Sequence, residues 1–141
     1  MKNLKNVAII AGSGNLPGLV YEQLSDPYVV GFEEMECSLS NHAVFHNFNQ
    51  LGKFFEDLNS RGIRSVVMVG GMKRPLLDET KFDEYLKLRS HSFFSALQKG
   101  DDALLKYVIS LFVENNITPI GANEVVRNLT LKPGFYVGVQ D

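Results

Sequence analysis

The chain has 141 residues, 45% of them hydrophobic and 21% charged, enough for one globular domain with a real core. With a formal net charge of −2, nothing points to nucleic-acid binding as the main task, which usually needs a strongly basic face. The single cysteine, Cys37, can form no intramolecular disulfide and fits a reducing compartment.

The start, MKNLKNVAIIAGSG, places lysines before an apolar stretch. That stretch, Val7 to Ala11, is shorter than the ~7–15 residues of a signal-peptide core. It reads as a buried first strand. No run approaches the ~20 apolar residues of a membrane span, so a soluble, cytoplasmic protein is expected. Leu16 to Leu24 reads as a helix with Pro17 in its first turn. Tyr28 to Phe32 is a second strand, and Ala43 to Phe48 a weaker third, interrupted by His46 and Asn47. Leu51, Phe54, Phe55 and Leu58 recur at helical spacing, with Gly62 as a C-terminal cap. Ser65 to Val69, SVVMV, is the clearest buried strand. Phe82, Tyr85, Leu86, Arg89, Phe93 and Leu97 follow one helical period, and Gly100 to Asn116 forms the next helix, with a stripe of Leu104, Leu105, Val108, Ile109, Leu111 and Phe112. Ile117 to Ile120 is a fifth strand, where Pro119 favours an edge. ANEVVRNL closes the pattern as a short helix.

Strands alternating with helices predict an α/β, Rossmann-like three-layer sandwich. Its five-stranded, mainly parallel sheet has the expected order 3-2-1-4-5. Ligands of such sheets bind beyond the carboxyl ends of the strands, where the order reverses. Strand one ends in Gly12 and Gly14, strand four in Gly70 and Gly71, and strand five in Gly121. In this order the three strands are neighbours, so their glycine-flanked tips are expected on one rim. Each glycine is also ordinary turn chemistry taken alone.

The first loop, Gly12-Ser13-Gly14-Asn15-Leu16-Pro17, approaches the GxGxxG dinucleotide fingerprint, but Pro17 stands where the third small residue belongs. Glu33 and Glu34 follow strand two, near where a ribose-binding carboxylate would sit, and otherwise read as a solvated loop. Lys73 and Arg74 follow strand four, with Pro75 stiffening the exit; two cations beside glycines suit a phosphate or pyrophosphate. Asp101 and Asp102 start a helix, where carboxylates meet unpaired N–H groups; a functional role would be to orient the cations or face a metal. His42, His46 and His91 show no ligand spacing, and no nucleophile elbow, HExxH or Walker loop is present. No catalytic residue and no metal ligand is assigned.

Three segments together, IAGSGNLP, VVMVGGMKRP and KGDDALLKYVISLFVENNITPIGANEVV, resemble the N-terminal half of the LpxI family. The resemblance runs from Val7 to Gly134. Residues 1–134 are then the domain and 135–141 the start of a linker. The resemblance implies a UDP-2,3-diacylglucosamine pyrophosphatase of lipid A biosynthesis, giving lipid X and UMP. It implies a divalent metal, Mg or Mn, in the full-length enzyme and none bound by this chain alone. It implies a C-terminal catalytic domain as partner, a cytoplasmic location with peripheral contact at the inner membrane, and room for a homodimer. The chain is then expected to form part of the substrate chamber and to be inactive alone. The substrate-binding candidates that carry over are Gly12, Gly14, Asn15, Gly70, Gly71, Lys73, Arg74, Asp101 and Asp102. Two other readings stay open: a free-standing nucleotide or dinucleotide module using Gly12, Gly14 and Glu33, and a non-catalytic interaction domain.

Overall fold

The computed structural model describes residues 6–72 and 77–126. Among these residues five strands, β1 (Val7–Ala11), β2 (Tyr28–Phe32), β3 (Val44–His46), β4 (Ser65–Val69) and β5 (Thr118–Ile120), form one sheet in the order β3-β2-β1-β4-β5. Every pairing of these strands is parallel. The expected order and class are therefore those of the molecule.

Six helices among the described residues cover the sheet: α1 (Leu16–Gln23), α2 (Leu51–Ser60), α3 (Glu84–Leu88), α4 (Ser90–Lys99), α5 (Asp101–Glu114) and α6 (Ala122–Val126). β1 is buried along its whole length because both of its faces are covered. Ala8 and Ile10 join the larger core with α2, α3, α4 and α5, while Val7, Ile9 and Ala11 join a smaller core with α1 and α6. The alternation of β1 side chains thus assigns the two helical layers. Pro119 lies on β5, an edge strand, as its missing N–H requires.

Three boundaries differ from the sequence reading. β3 stops at His46, because the Asn47 side chain accepts from Asn49 N at 2.8 Å and turns the chain into a 3₁₀ turn, Phe48–Gln50. The single helical period from Phe82 to Leu97 is two helices. Asp83 caps α3 by accepting from Leu86 N at 3.1 Å, and Arg89 (φ −110°, ψ 9°) breaks the chain before α4. The stripe on α5 is too wide to be buried throughout. Leu104, Leu111 and Phe112 are buried, but Leu105 is 48% exposed. Gly62, with φ +72°, caps α2 as its position implied.

Candidate functional site

The strand order reverses between β1 and β4, and their tips are joined there. Gly12 N donates to Val69 O at 2.8 Å, and Ser13 and Gly71 exchange two backbone hydrogen bonds of 3.0 Å, a single antiparallel bridge beyond the parallel ladder. Glycine is what permits this approach. A Cβ on Gly12 would lie 2.2 Å from Gly71 O. Gly70 has φ +102°, and a Cβ there would sit 2.7 Å from Ser13 O and 2.9 Å from Pro17 Cγ. Pro17 is buried in the first turn of α1, so its ring fills the space between helix and strand tip that a dinucleotide fingerprint keeps for a small residue. Gly14 has φ +96° with open space around it, and Asn15 is exposed at the start of α1 without capping it. The glycine tips of β1 and β4 therefore share one rim. Gly121, at the tip of β5, donates its N–H to Glu124 Oε1 at 3.2 Å and opens α6.

Below the β1–β4 seam, on the α2 and α5 side of the sheet, lies an apolar cavity of about 400 Å³. Its floor is formed by Ile10, Phe54, Phe55 and Phe112, and its walls include Met35, Met68 and Val108. Gly70, Met72, Leu105 and Asp101 surround the mouth. Three of the four methionines of the chain line it. Met68 stands on β4 with strands on both sides, yet is only partly buried, because the cavity reaches it. Methionine adapts to irregular space and to varied apolar partners. Apolar patterning puts Ile10 and Met68 on buried strands and Leu104, Leu105, Val108 and Phe112 on a helical stripe without showing a cavity; the signal that could have found it was three methionines near strand ends and in loops.

Of the predicted site residues, Gly12, Gly14, Asn15, Gly70 and Gly71 gather at the seam. Lys73, Arg74 and Pro75 lie outside the described residues. Gly100 (φ +119°) occupies the N-cap of α5, so both aspartates fall in the first turn. Asp101 lines the cavity mouth. Asp102 pairs with Lys106 at 3.1 Å, one turn along, both largely exposed. Among the described residues no group of three His, Cys, Asp or Glu side chains is placed to hold a metal ion. The first turn of α5 alone does not supply the oxygen ligands of a hard cation.

Glu33 and Glu34 serve the fold. Glu33 Oε1 accepts from Asn47 Nδ2 at 3.0 Å, and Glu34 Oε1 accepts from Phe48 N at 3.1 Å, which together hold the turn after β3. Beside that turn, the Asp57 carboxylate accepts from the Tyr28 hydroxyl and from Arg61 Nε at 2.9 Å, and its Oδ2 lies 3.0 Å from His46 Nε2. The Arg61 guanidinium lies 4.1 Å over the Tyr28 ring. Burial works to raise the Asp57 pKa, but the hydrogen bonds from Tyr28, Arg61 and His46 outweigh it and hold the carboxyl below its usual range. Burial, then the hydrogen bond to Asp57 and its negative charge, push the Tyr28 phenol up to about 12 against the opposing pull of Arg61.

The sign of the linkage follows for each group. The Asp57 contribution is present above the ordinary carboxylate pKa and is lost as pH falls through the depressed folded value. The Tyr28 contribution is present below pH 10 and is lost as pH rises from 10 to about 12. Melting curves from acid to alkali should show both limbs. Asp57→Asn shrinks the acid limb, to which Asp78 and Glu114 also contribute, and costs about 1–2 kcal/mol near neutrality, since Arg61 and Tyr28 lose a charged acceptor. Tyr28→Phe shrinks the alkaline limb, to which Tyr85 also contributes, and weakens the acid limb by taking away the phenol hydrogen bond that holds Asp57 down. A wild-type profile in either variant contradicts the network.

A parallel α/β sheet with helices on both faces, its central tips joined at the reversal point over an apolar hollow, defines a Rossmann-like α/β domain with a candidate site at its strand tips. The model of the LpxI N-terminal domain matches residues 6–129, and the chain belongs to this family. It is also similar to the UDP-2,3-diacylglucosamine pyrophosphatase LpxI of Caulobacter vibrioides, with 33% identity over 85 residues. That stretch covers 60% of this chain and 30% of the relative. No helix among the described residues is long and apolar enough to cross a membrane.

Proposed function

We propose that this domain serves as the N-terminal part of a UDP-2,3-diacylglucosamine pyrophosphatase in lipid A biosynthesis and is inactive without a second, catalytic domain. The observation that carries this reading is the family match over residues 6–129. The joined tips of β1 and β4 beside an apolar hollow support it, because a polar pyrophosphate and an apolar tail can then be held side by side.

The reaction adds water to one phosphorus and breaks a P–O bond to the bridging oxygen, leaving UMP and lipid X. A divalent metal, Mg or Mn, would supply charge neutralisation and an activated water when bound. Its ligands fall to the second domain, because α5 offers only Asp101 and Asp102 here. The task of this chain is to hold and orient. Lys73 and Arg74 supply positive charge to the pyrophosphate, Gly12, Gly14, Asn15, Gly70 and Gly71 bring backbone close to it, and Asp101 and Asp102 orient the cations. The domain runs to residue 134, followed by a linker. The work is cytoplasmic, with peripheral contact at the inner membrane. A homodimer would use edge strand β3, where Val44 and Phe45 are exposed.

The free-standing dinucleotide module has less support, since Pro17 fills the helix-to-strand contact and Glu33 is engaged by Asn47. One assay tests the proposal. UMP release from UDP-2,3-diacylglucosamine with Mg or Mn is expected to need added C-terminal domain. In that reconstituted enzyme, Lys73→Glu with Arg74→Glu should lower kcat/KM by at least ~10-fold, about 1.4 kcal/mol. Full turnover by the isolated chain, or an unaffected double variant, overturns the respective assignment. Tight NAD binding lost on Glu33→Ala would favour the module instead.

A further inference from the structure

We infer that strand β3 pairs antiparallel with β3 of a second copy of this chain, Phe45 opposite Phe45, so that two domains share one continuous sheet. This rests on the homodimer proposed above and gives it a register, a symmetry and a limit of two copies.

Three observations carry it. The first is an open ladder at β3. Glu33 N donates to His46 O at 2.9 Å, in the register that pairs Gly31 with Phe45 and Phe32 with His46. Backbone groups alternate in direction along a strand, so those of Val44 and His46 face β2 and those of Phe45 face outward. Among the described residues nothing pairs with the outward N–H and C=O of Phe45. Its ring does not shield them. The ring lies back over β2, with Cε1 2.8 Å from the place a Cβ on Gly31 would take.

The second observation is that the other edge is closed. Thr118 N donates to Arg64 O at 2.8 Å, so Thr118 and Ile120 face β4, and the outward groups of this edge belong to Ile117, Pro119 and Gly121. Ile117 N already donates to Phe112 O at 2.9 Å, Gly121 N donates to Glu124 Oε1 at 3.2 Å, and Pro119 has no N–H. β5 therefore offers no donor to an added strand. A sheet with one open edge pairs with itself only as β3 on β3, which closes at two copies and cannot grow into a fibre.

The third is self-complementarity. In an antiparallel pair centred on Phe45, a two-fold axis normal to the sheet lets the two Phe45 residues exchange both backbone hydrogen bonds. Val44 and Phe45, 43% and 41% exposed, lose contact with water there. From Cys37 to Gly52 the chain has no Lys, Arg, Asp or Glu. No like charges meet across the axis, and the edge lacks the charged residue that commonly guards one. The paired strands run in opposite directions, so the two β1–β4 seams lie at opposite ends of the joined sheet and the interface leaves both free.

Sedimentation of the intact 141-residue chain, in a concentration series up to about 1 mM, should show monomer and dimer and nothing larger. Phe45→Lys should raise the dimer Kd by at least ~10-fold, because the axis brings two ammonium groups together. Leu88→Lys, at a residue 76% exposed on α3, should leave it unchanged. Register is read by cross-linking with diamide in a Cys37→Ser background. Phe45→Cys sets its two Cα atoms ~5.5 Å apart and should give a disulfide-linked dimer. Val44→Cys sets them about 8 Å apart, beyond the ~7 Å that a disulfide spans, and should not. Should Phe45→Lys lose its fold by thermal melting, the two cysteine variants decide. A chain that stays monomeric throughout overturns both the homodimer and this pairing. A dimer that survives Phe45→Lys, or that cross-links equally through Val44→Cys and Phe45→Cys, keeps the homodimer and overturns the β3 pairing. Assemblies larger than a dimer overturn the closure at β5. UMP release tests the hydrolase reading separately.

Discussion

Gly12→Ala should destabilise the domain by about 3 kcal/mol and lower its melting temperature by roughly 10 °C, more than any other glycine-to-alanine change outside the β1–β4 seam. The added methyl would meet Gly71 O at 2.2 Å. That oxygen cannot swing aside, because it accepts from Ser13 N at 3.0 Å, and the return bond from Gly71 N to Ser13 O holds the same pair of loops. Relief of the clash requires the β1 and β4 tips to separate, with loss of both bonds. Two controls isolate the cause. Gly18, inside α1, has nothing within 4 Å of the place a Cβ would take, so Gly18→Ala should be neutral or stabilise by up to ~1 kcal/mol through helix propensity. Gly14 also has open space but sits at φ +96°, so Gly14→Ala should cost only the ~1 kcal/mol of a side chain forced into that conformation. Urea or thermal unfolding of the three variants checks the ranking. A Gly12→Ala protein that melts with the wild type would show that the two tips are not in contact.

The same seam shows what was legible in the sequence. β1 is a run of five apolar residues and β4 a run of four after Ser65, each bounded by polar or glycine residues, and a strand covered on both faces needs nothing else. Alternation with helices then fixed the parallel order, and the order brought Gly12 and Gly70 together. Phase alone could not show the break at Arg89. The period from Phe82 to Leu97 continues across it, because the turn keeps Leu86 and Phe93 on the same core. What ends α3 is a tertiary arrangement: Arg89 donates to Tyr85 O at 3.2 Å and to Glu114 Oε2 at 3.0 Å, and stacks 3.8 Å over the Tyr85 ring. The Tyr28–Asp57 pair was equally hidden, since its members stand 29 residues apart on elements whose separation sequence spacing does not report. The cavity was hidden for another reason. Apolar periodicity states which side chains leave water, but whether they fill the space they enclose depends on shapes that only packing determines.

Phe54→Ala should be the most damaging substitution in the larger core, at about 3–5 kcal/mol. Phe54 is 1% exposed, and its ring centroid lies 5.1 Å from Phe55, 5.2 Å from Phe32, 5.3 Å from His46 and 5.9 Å from Phe112. Those rings are held by contacts of their own, Phe32 against Phe48 and Phe55 against Phe112 and Tyr85, so they do not collapse into the vacated space. The void instead joins the pit that Phe54 already walls, and an apolar pit of that kind gains little from water. Val108, which is only partly buried at the same cavity, is the comparison: Val108→Ala should cost about 1 kcal/mol. Urea unfolding of the two variants checks the ranking, and a Phe54→Ala protein that unfolds with Val108→Ala would mean that the rings around Phe54 close over the space it leaves.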